Sequence, residues 1–257
     1  MTQAIHIVLQ GKGGVGKSVI SRLLLEYMVA TDRDYIGFDA DPVNQTFAAH
    51  NNKKVSVVEL IKGSRVDNIL FDEMLEKIFT NKDKKVILDT GASSFLPFME
   101  YIATNDVIAV LQSEGFEVFI HTIVIGETAA ADTIKGFEQL AARFGESANL
   151  IVWENRFFGP ITLGGKAFED IAGVKKVIEG GLVSGKIVLE KSLELHERAF
   201  LDFLKQGKSF DEASSNDNAD FNTMMRNRIK QLKETYISAL EAVIGDVNDT
   251  GVEADAT

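Results

Sequence analysis

The chain has 257 residues, 45% hydrophobic and 25% charged, which is enough to bury a core and excludes a disordered or fibrous chain. Its 27 Lys and Arg against 38 Asp and Glu leave a formal net charge of −11, which disfavours general binding of DNA and leaves room only for a local basic patch. Cysteine is absent, so disulfides, thiolate nucleophiles and cysteine-held zinc or iron–sulfur clusters are excluded. The first ten residues lack the basic and apolar regions of an export signal, and no apolar run reaches about 18 residues. A cytoplasmic protein without a transmembrane span is expected.

In chain order, Ile5–Gln10 reads as a buried strand. Lys17–Ala30 follows with Val19, Ile20, Leu23, Leu24, Tyr27 and Met28 at helical spacing. Tyr35–Asp39 is a second strand, and Val55–Leu60 is either a strand or the lead into a helix. Asn68–Phe79 keeps Ile69, Leu70, Met74, Leu75 and Ile78 on one helical face, and Lys85–Asp89 is a strand. Phe95–Gln112 is one helix with a weak point near Asn105, or a helix followed by a strand at Val107–Leu111. Glu117–Ile125, rich in β-branched residues, is a strand; Thr128–Phe144 is helical; Leu150–Asn155 is a strand. Phe157–Gly165 is a Gly- and Pro-containing loop. Gly185–Leu189 is the last strand, with a helix near Leu193–Lys205. Residues 206–220 are polar and read as a loop or linker, and Phe221–Ile244 is an amphipathic helix. This alternation predicts an α/β fold, a mostly parallel twisted sheet with helices on both faces, in a single domain over 1–245. Residues 246–257 form an acidic tail expected to be disordered.

The strongest local signal is Gly11-Lys12-Gly13-Gly14-Val15-Gly16-Lys17-Ser18, a complete G-x-x-x-x-G-K-[ST] phosphate loop between a predicted strand and a predicted helix. Glycines let backbone N–H groups curl around an anion, and the helix that follows points its positive end at it. In such a loop Lys17 reaches the β- and γ-phosphates of a nucleotide and Ser18 ligates Mg²⁺. Lys12 is a second lysine that the general motif does not need. It is either a solvated loop residue or a second cation for transition-state charge, and spacing does not choose between them.

Three carboxylates stand where strands end. Asp39 and Asp41, in Asp39-Ala40-Asp41-Pro42, share one side of a strand. One suits Mg²⁺ and the other suits a water. Asp89 closes an apolar strand, the pattern of a Walker B carboxylate near Mg²⁺. Asp89-Thr90-Gly91-Ala92-Ser93 also imitates an aspartic-protease loop, but the flanks alternate strand and helix and no second Asp-Thr-Gly exists. Asn155 ends a strand, either as a cap or as a group for a purine edge. Guanine-specific phosphate-loop proteins carry an Asp three residues after such an Asn; Phe158 stands there, which favours adenine. His6, His50, His121 and His196 share no metal-ligand spacing and read as strand or surface residues. Arg226, Lys230 and Lys233 share one side of the last helix, a solvated face or a local DNA or lipid contact.

Together these residues resemble the ParA/MinD family of deviant Walker ATPases, over roughly residues 4–205. The shared features are K-G-G-x-G-K-[ST] at Lys12 to Ser18, Asp-x-Asp-Pro at Asp39 to Pro42, the strand-ending Asp89, and Asn155. Within the family, HIVLQGKGGVGKS, DADPVNQTF, DTGASSF, IHTIVIG and VWENRFFGPI look like ATPases of plasmid conjugal transfer and plasmid stability. The resemblance implies an ATP-binding, ATP-hydrolysing protein that forms a homodimer on ATP binding. Lys12 would act on the second copy's nucleotide, Asp41 would polarise the attacking water, and Asp39 and Asp89 would stand around Mg²⁺. Asn155 would contact the adenine of ATP or ADP. The family's Asp-Thr-Pro-Pro is Asp89-Thr90-Gly91-Ala92 here. The implied partner is an unidentified conjugation or plasmid-maintenance protein. A DNA-binding partition motor and a nucleotide-bound scaffold that does not turn over are the other readings.

Overall fold

A computed structural model describes residues 3–49, 54–62 and 65–245; His50 and the acidic segment 246–257 lie outside the described residues. The main sheet has seven strands: β1 (Gln3–Val8), β2 (Tyr35–Ala40), β3 (Val55–Val57), β4 (Lys85–Thr90), β5 (Phe116–Ile125), β6 (Asn149–Asn155) and β7 (Gly185–Leu189). They pair in parallel in the spatial order β7-β6-β5-β1-β4-β2-β3. β1 is central; β2 and β3 build one side, β4 inserts between β1 and β2, and β5 to β7 build outward on the other side. The order therefore reverses beside β1, at whose carboxyl end such folds bind ligands.

Period-two alternation sorts side chains between two cores. Ile5, Ile7 and Leu9 face one, whereas Ala4 and Val8 face the other. The first core is closed by α2 (Asn68–Phe79), α3 (Phe95–Thr104), α4 (Val107–Ser113), α5 (Ala130–Phe144) and α6 (Ala172–Glu179). The second is closed by α1 (Lys17–Ala30), α7 (Glu194–Lys205), α8 (Phe210–Ser214) and α9 (Thr223–Ile244). Two histidines that the sequence places on strands lie buried beneath this second layer. Trp153 Nε1 donates to His121 Nδ1 (3.0 Å), and the other nitrogen of His121 lies 3.0 Å from His6 Nδ1. Burial pushes His121 down to about 3 and His6 well below its usual value, so both rings are neutral.

Several sequence expectations change. Phe95–Gln112 is neither one helix nor a helix and a strand. Asp106 takes a left-handed conformation (φ 49°), ending α3 and restarting the chain as α4. Val107, Ile108 and Leu111 are buried at helical spacing. Val55–Leu60 is a strand only over Val55–Val57, an edge strand beside β2. The polar stretch 206–220 is not a simple linker. Ser209 and Glu212 form a capping box that starts α8, and Phe210 stacks on Phe203 at 4.2 Å between ring centroids. The loop after β6 contains a 3₁₀ turn, Arg156–Phe158, and a small hairpin pairing Thr162–Leu163 with Lys166–Ala167. Two of the three basic residues on the last helix serve the fold: Arg226 donates to the carbonyls of Asn218 and Phe221, and Lys233 pairs with Asp211.

Candidate functional site

The phosphate loop leaves β1 through Gln10, a buried amide. Its Nε2 donates to the carbonyls of Ile123 (2.7 Å) and Thr133 (3.2 Å), and its Oε1 accepts from Gly11 N (2.8 Å). Gln10 thus ties the loop's entry to β5 and α5. Gly14 (φ 74°) and Gly16 (φ 106°) take left-handed conformations that curl the loop. A Cβ at Gly16 would also stand 3.2 Å from the Asn155 amide. α1 begins at Lys17 with no side-chain cap, so its first-turn N–H groups remain available to an anion.

Lys17 is buried and its Nζ donates to the Lys12 carbonyl (3.1 Å). Burial lowers its pKa, and the nearby Asp89 and Asp41 carboxylates offset part of that. Asp89, at the end of β4, accepts from Ser18 Oγ (2.7 Å) and from Ser21 Oγ (2.9 Å). Its pKa is pushed up to about 7, first by burial; the two hydroxyls work against the shift and Asp39, its register partner on β2, adds to it. Sequence reasoning missed both Gln10 and Ser21. Ser21 was detectable in principle, because it lies one turn after Ser18 on the same helical face. Gln10 had no local signal.

Asp39 and Asp41 behave differently from one another. Asp39 is fully buried, and its oxygens accept from Asp41 N (3.1 Å) and Ala48 N (2.9 Å), which fixes the turn after β2. Burial raises its pKa. Asp41 is partly exposed and accepts from Val43 N (2.9 Å) and Asn44 N (3.0 Å). The end of β4 lies flush against this turn: a Cβ at Gly91 would come within 2.9 Å of Pro42. Lys17, Ser18, Asp41, Asn44, Thr46 and Ser93 line a cavity of about 510 Å³ over the loop. The oxygen donors Ser18, Asp89 and Asp39 suit a hard divalent cation such as Mg²⁺. Among the described residues no cluster of three or more His, Cys, Asp or Glu forms a metal site by itself.

Two predicted residues are placed less directly. Lys12 leaves the loop toward the surface, where Nζ meets Asp132 Oδ2 at 2.7 Å, with the two side chains 43% and 61% exposed. It does not line the cavity over its own loop. Asn155 is buried beside Gly16. Its Nδ2 donates to the Val15 carbonyl (3.0 Å) and its Oδ1 accepts from Phe157 N (3.2 Å). It therefore both caps the turn after β6 and braces the phosphate loop. It also lines a second, mostly apolar cavity of about 220 Å³, together with Gly14, Gly16, Phe157, Phe200 and Tyr236. The two cavities share Gly14, Gly16 and Val19, so one elongated ligand can occupy both.

Two Escherichia coli proteins, each called Protein TraL, are 36% and 37% identical over 240 and 238 residues. These alignments span 93% and 92% of this chain and 97% of each relative. Among solved structures, apo McdA from Cyanthece shares the fold at 10% identity with a TM-score of 0.55, over 95% of this chain and 100% of that one. Residues 6–245 match the CobQ/CobB/MinD/ParA nucleotide binding domain, and the chain belongs to that family.

Proposed function

We propose that this protein is an Mg-ATP-dependent ATPase that works as a nucleotide-switched homodimer in plasmid conjugative transfer or plasmid maintenance. In this reading residues 1–245 act as one ATPase unit in the cytoplasm. Among the described residues no helix is long and apolar enough to cross a membrane. The phosphates lie in the nest of Gly11 to Ser18, with Lys17 on the β- and γ-phosphates. Mg²⁺ would be held by Ser18 with Asp89 and Asp39 and would neutralise phosphate charge. Asp41 orients the attacking water, and Asn155 contacts the adenine.

The single observation that carries the dimer is the placement of Lys12. A cation in the middle of the phosphate loop points away from its own cradle, where it serves a second copy's nucleotide better than its own. Val43, an apolar side chain on the cavity wall that is 76% exposed, suits a face that a second copy covers. Mg-ATP would stabilise the closed dimer, hydrolysis would open it, and a plasmid-process partner would distinguish the two states.

The test is molar mass by light scattering with ADP and with Mg-ATP, on wild type, Asp41→Ala and the double variant with Lys12→Ala. Dimerisation of Asp41→Ala with ATP alone, abolished by adding Lys12→Ala, supports the reading. A protein that stays monomeric with ATP bound ends it.

A further inference from the structure

The start of α7 breaks a rule that its neighbours keep. Ser, Thr, Asp and Asn suit a helix cap because their side chains satisfy a free N–H of the first turn. The caps of α8 and α9, Ser209 and Asn222, each accept such a bond. The cap of α7 is Leu193, which accepts none. Burial gives the fold nothing in exchange, because Leu193 is 77% exposed.

Leu193 is not isolated. Leu195 (54% exposed) and Met224 (57%) share with it an open groove of about 450 Å³ between the start of α7 and the first half of α9. Single apolar residues scattered over a surface are ordinary, but three that line one concavity mark an interaction site. His196 Nε2, 3.0 Å from Gln231 Oε1, joins the two helices beside them.

The same groove carries a cation that the fold does not use. Arg228 is half-buried on its wall and makes no hydrogen bond or ion pair among the described residues. Arg226, two residues earlier, is held by the carbonyls of Asn218 and Phe221. A guanidinium fork matches a carboxylate through two parallel hydrogen bonds. The groove thus suits apolar side chains accompanied by one carboxylate, the chemistry of an acidic amphipathic peptide. An anionic membrane fits less well: it is drawn to clustered cations, whereas Glu194 lines this groove in a chain of net charge −11. A second copy of the same groove is concave in turn and brings nothing to insert.

We propose that this groove docks a partner protein through a short segment that packs Leu- or Phe-like side chains on Leu193, Leu195 and Met224 and sets an Asp or Glu on Arg228. The site is separate from the phosphate cradle, with which it shares no lining residue, so it stands or falls independently of the nucleotide reading.

The experiment selects short random peptides displayed on phage against the full chain without nucleotide, then measures the selected sequences as synthetic peptides by fluorescence anisotropy. Enriched peptides are expected to carry two apolar side chains and an Asp or Glu, and to bind in the micromolar range. Leu195→Asp and Arg228→Glu should each weaken them by about tenfold or more. Replacing the peptide's acid with Lys should restore binding to Arg228→Glu and weaken it on wild type, a reversal that a misfolded variant cannot give. The proposal is overturned if no peptide is enriched, if the enriched peptides lack an acid, or if Leu195→Asp binds them as tightly as wild type. It is also overturned if phosphatidylcholine/phosphatidylglycerol vesicles sediment wild type but not Leu195→Asp, which would assign the groove to lipid. A nucleotide-free dimer in light scattering that Leu195→Asp abolishes would assign it to a second copy instead and overturn it equally.

Discussion

The two halves of the site are built on different principles. The phosphate half is polar and local: eight consecutive residues supply the curled backbone, and two strand ends supply the three carboxylates. The half proposed to hold the base is apolar and assembled from a distance, with Phe157 after β6, Phe200 on α7 and Tyr236 on α9 meeting around one cavity. The contrast teaches that binding phosphate needs a motif, whereas reading a base needs the tertiary fold. A backbone nest can be written into a short sequence, but an apolar slot must be enclosed by several elements.

Substitutions on either half should therefore separate. The largest loss is expected from Lys17→Ala, which removes the buried cation from the phosphate cradle; calorimetry with ADP should show affinity down by about a hundredfold or more. Next comes Asp41→Ala. Phosphate release with Mg-ATP and partner should fall by about a hundredfold, while ADP affinity shifts by less than about threefold. An equal loss of binding would assign Asp41 to the cradle rather than to the water.

Asp89 gives a pH-dependent test of the same half. Its pKa rises from an ordinary 3.8 to about 7 on folding, so between those values the folded chain holds a proton that the unfolded chain has lost. Asp89's own contribution to the stability of the ligand-free protein should therefore fall as pH rises from about 4 to about 7, while the buried neutral His6 and His121 contribute in the opposite direction. Asp89→Asn should remove that decline and add about 2 kcal/mol at pH 8 in urea unfolding, at the cost of magnesium-dependent nucleotide binding. A stability gap between Asp89→Asn and wild type that does not grow across this window would contradict a buried, protonated Asp89.

On the base half, Phe200→Ala should weaken ADP by about fivefold through lost wall contact, with binding of inorganic phosphate unaffected. An equal effect on both would mean that the halves are coupled. The smallest change belongs to Asp132→Ala. Its pair with Lys12 is exposed, so the melting midpoint should move by the equivalent of less than about 0.5 kcal/mol.

Most elements of the first two-thirds of the chain were readable from residue spacing because their own side chains bury them. α1 spans Lys17–Ala30 and α2 spans Asn68–Phe79, as periodicity predicts. The failures share a cause. α8 hides in a polar stretch because Phe210 is its one large buried side chain, beside the small Ala213, and its stacking partner Phe203 lies on another helix. The weak point near Asn105 was legible and the helix does end there, but the restart as a separate helix turns on the left-handed Asp106, which composition does not announce.

The sequence by itself determined the phosphate loop, the positions of Asp39, Asp41 and Asp89 at strand ends, and the alternation that makes a parallel sheet. Each of these depends on residues close in the chain, through glycine freedom and side-chain period. Only the tertiary structure decided that Lys12 turns outward to Asp132, that Gln10 and Ser21 hold the loop and Asp89, and that Asn155 braces Val15. Those outcomes depend on which buried donors meet which acceptors across more than a hundred residues in several cases, and pairing at that range is set by packing rather than by local pattern.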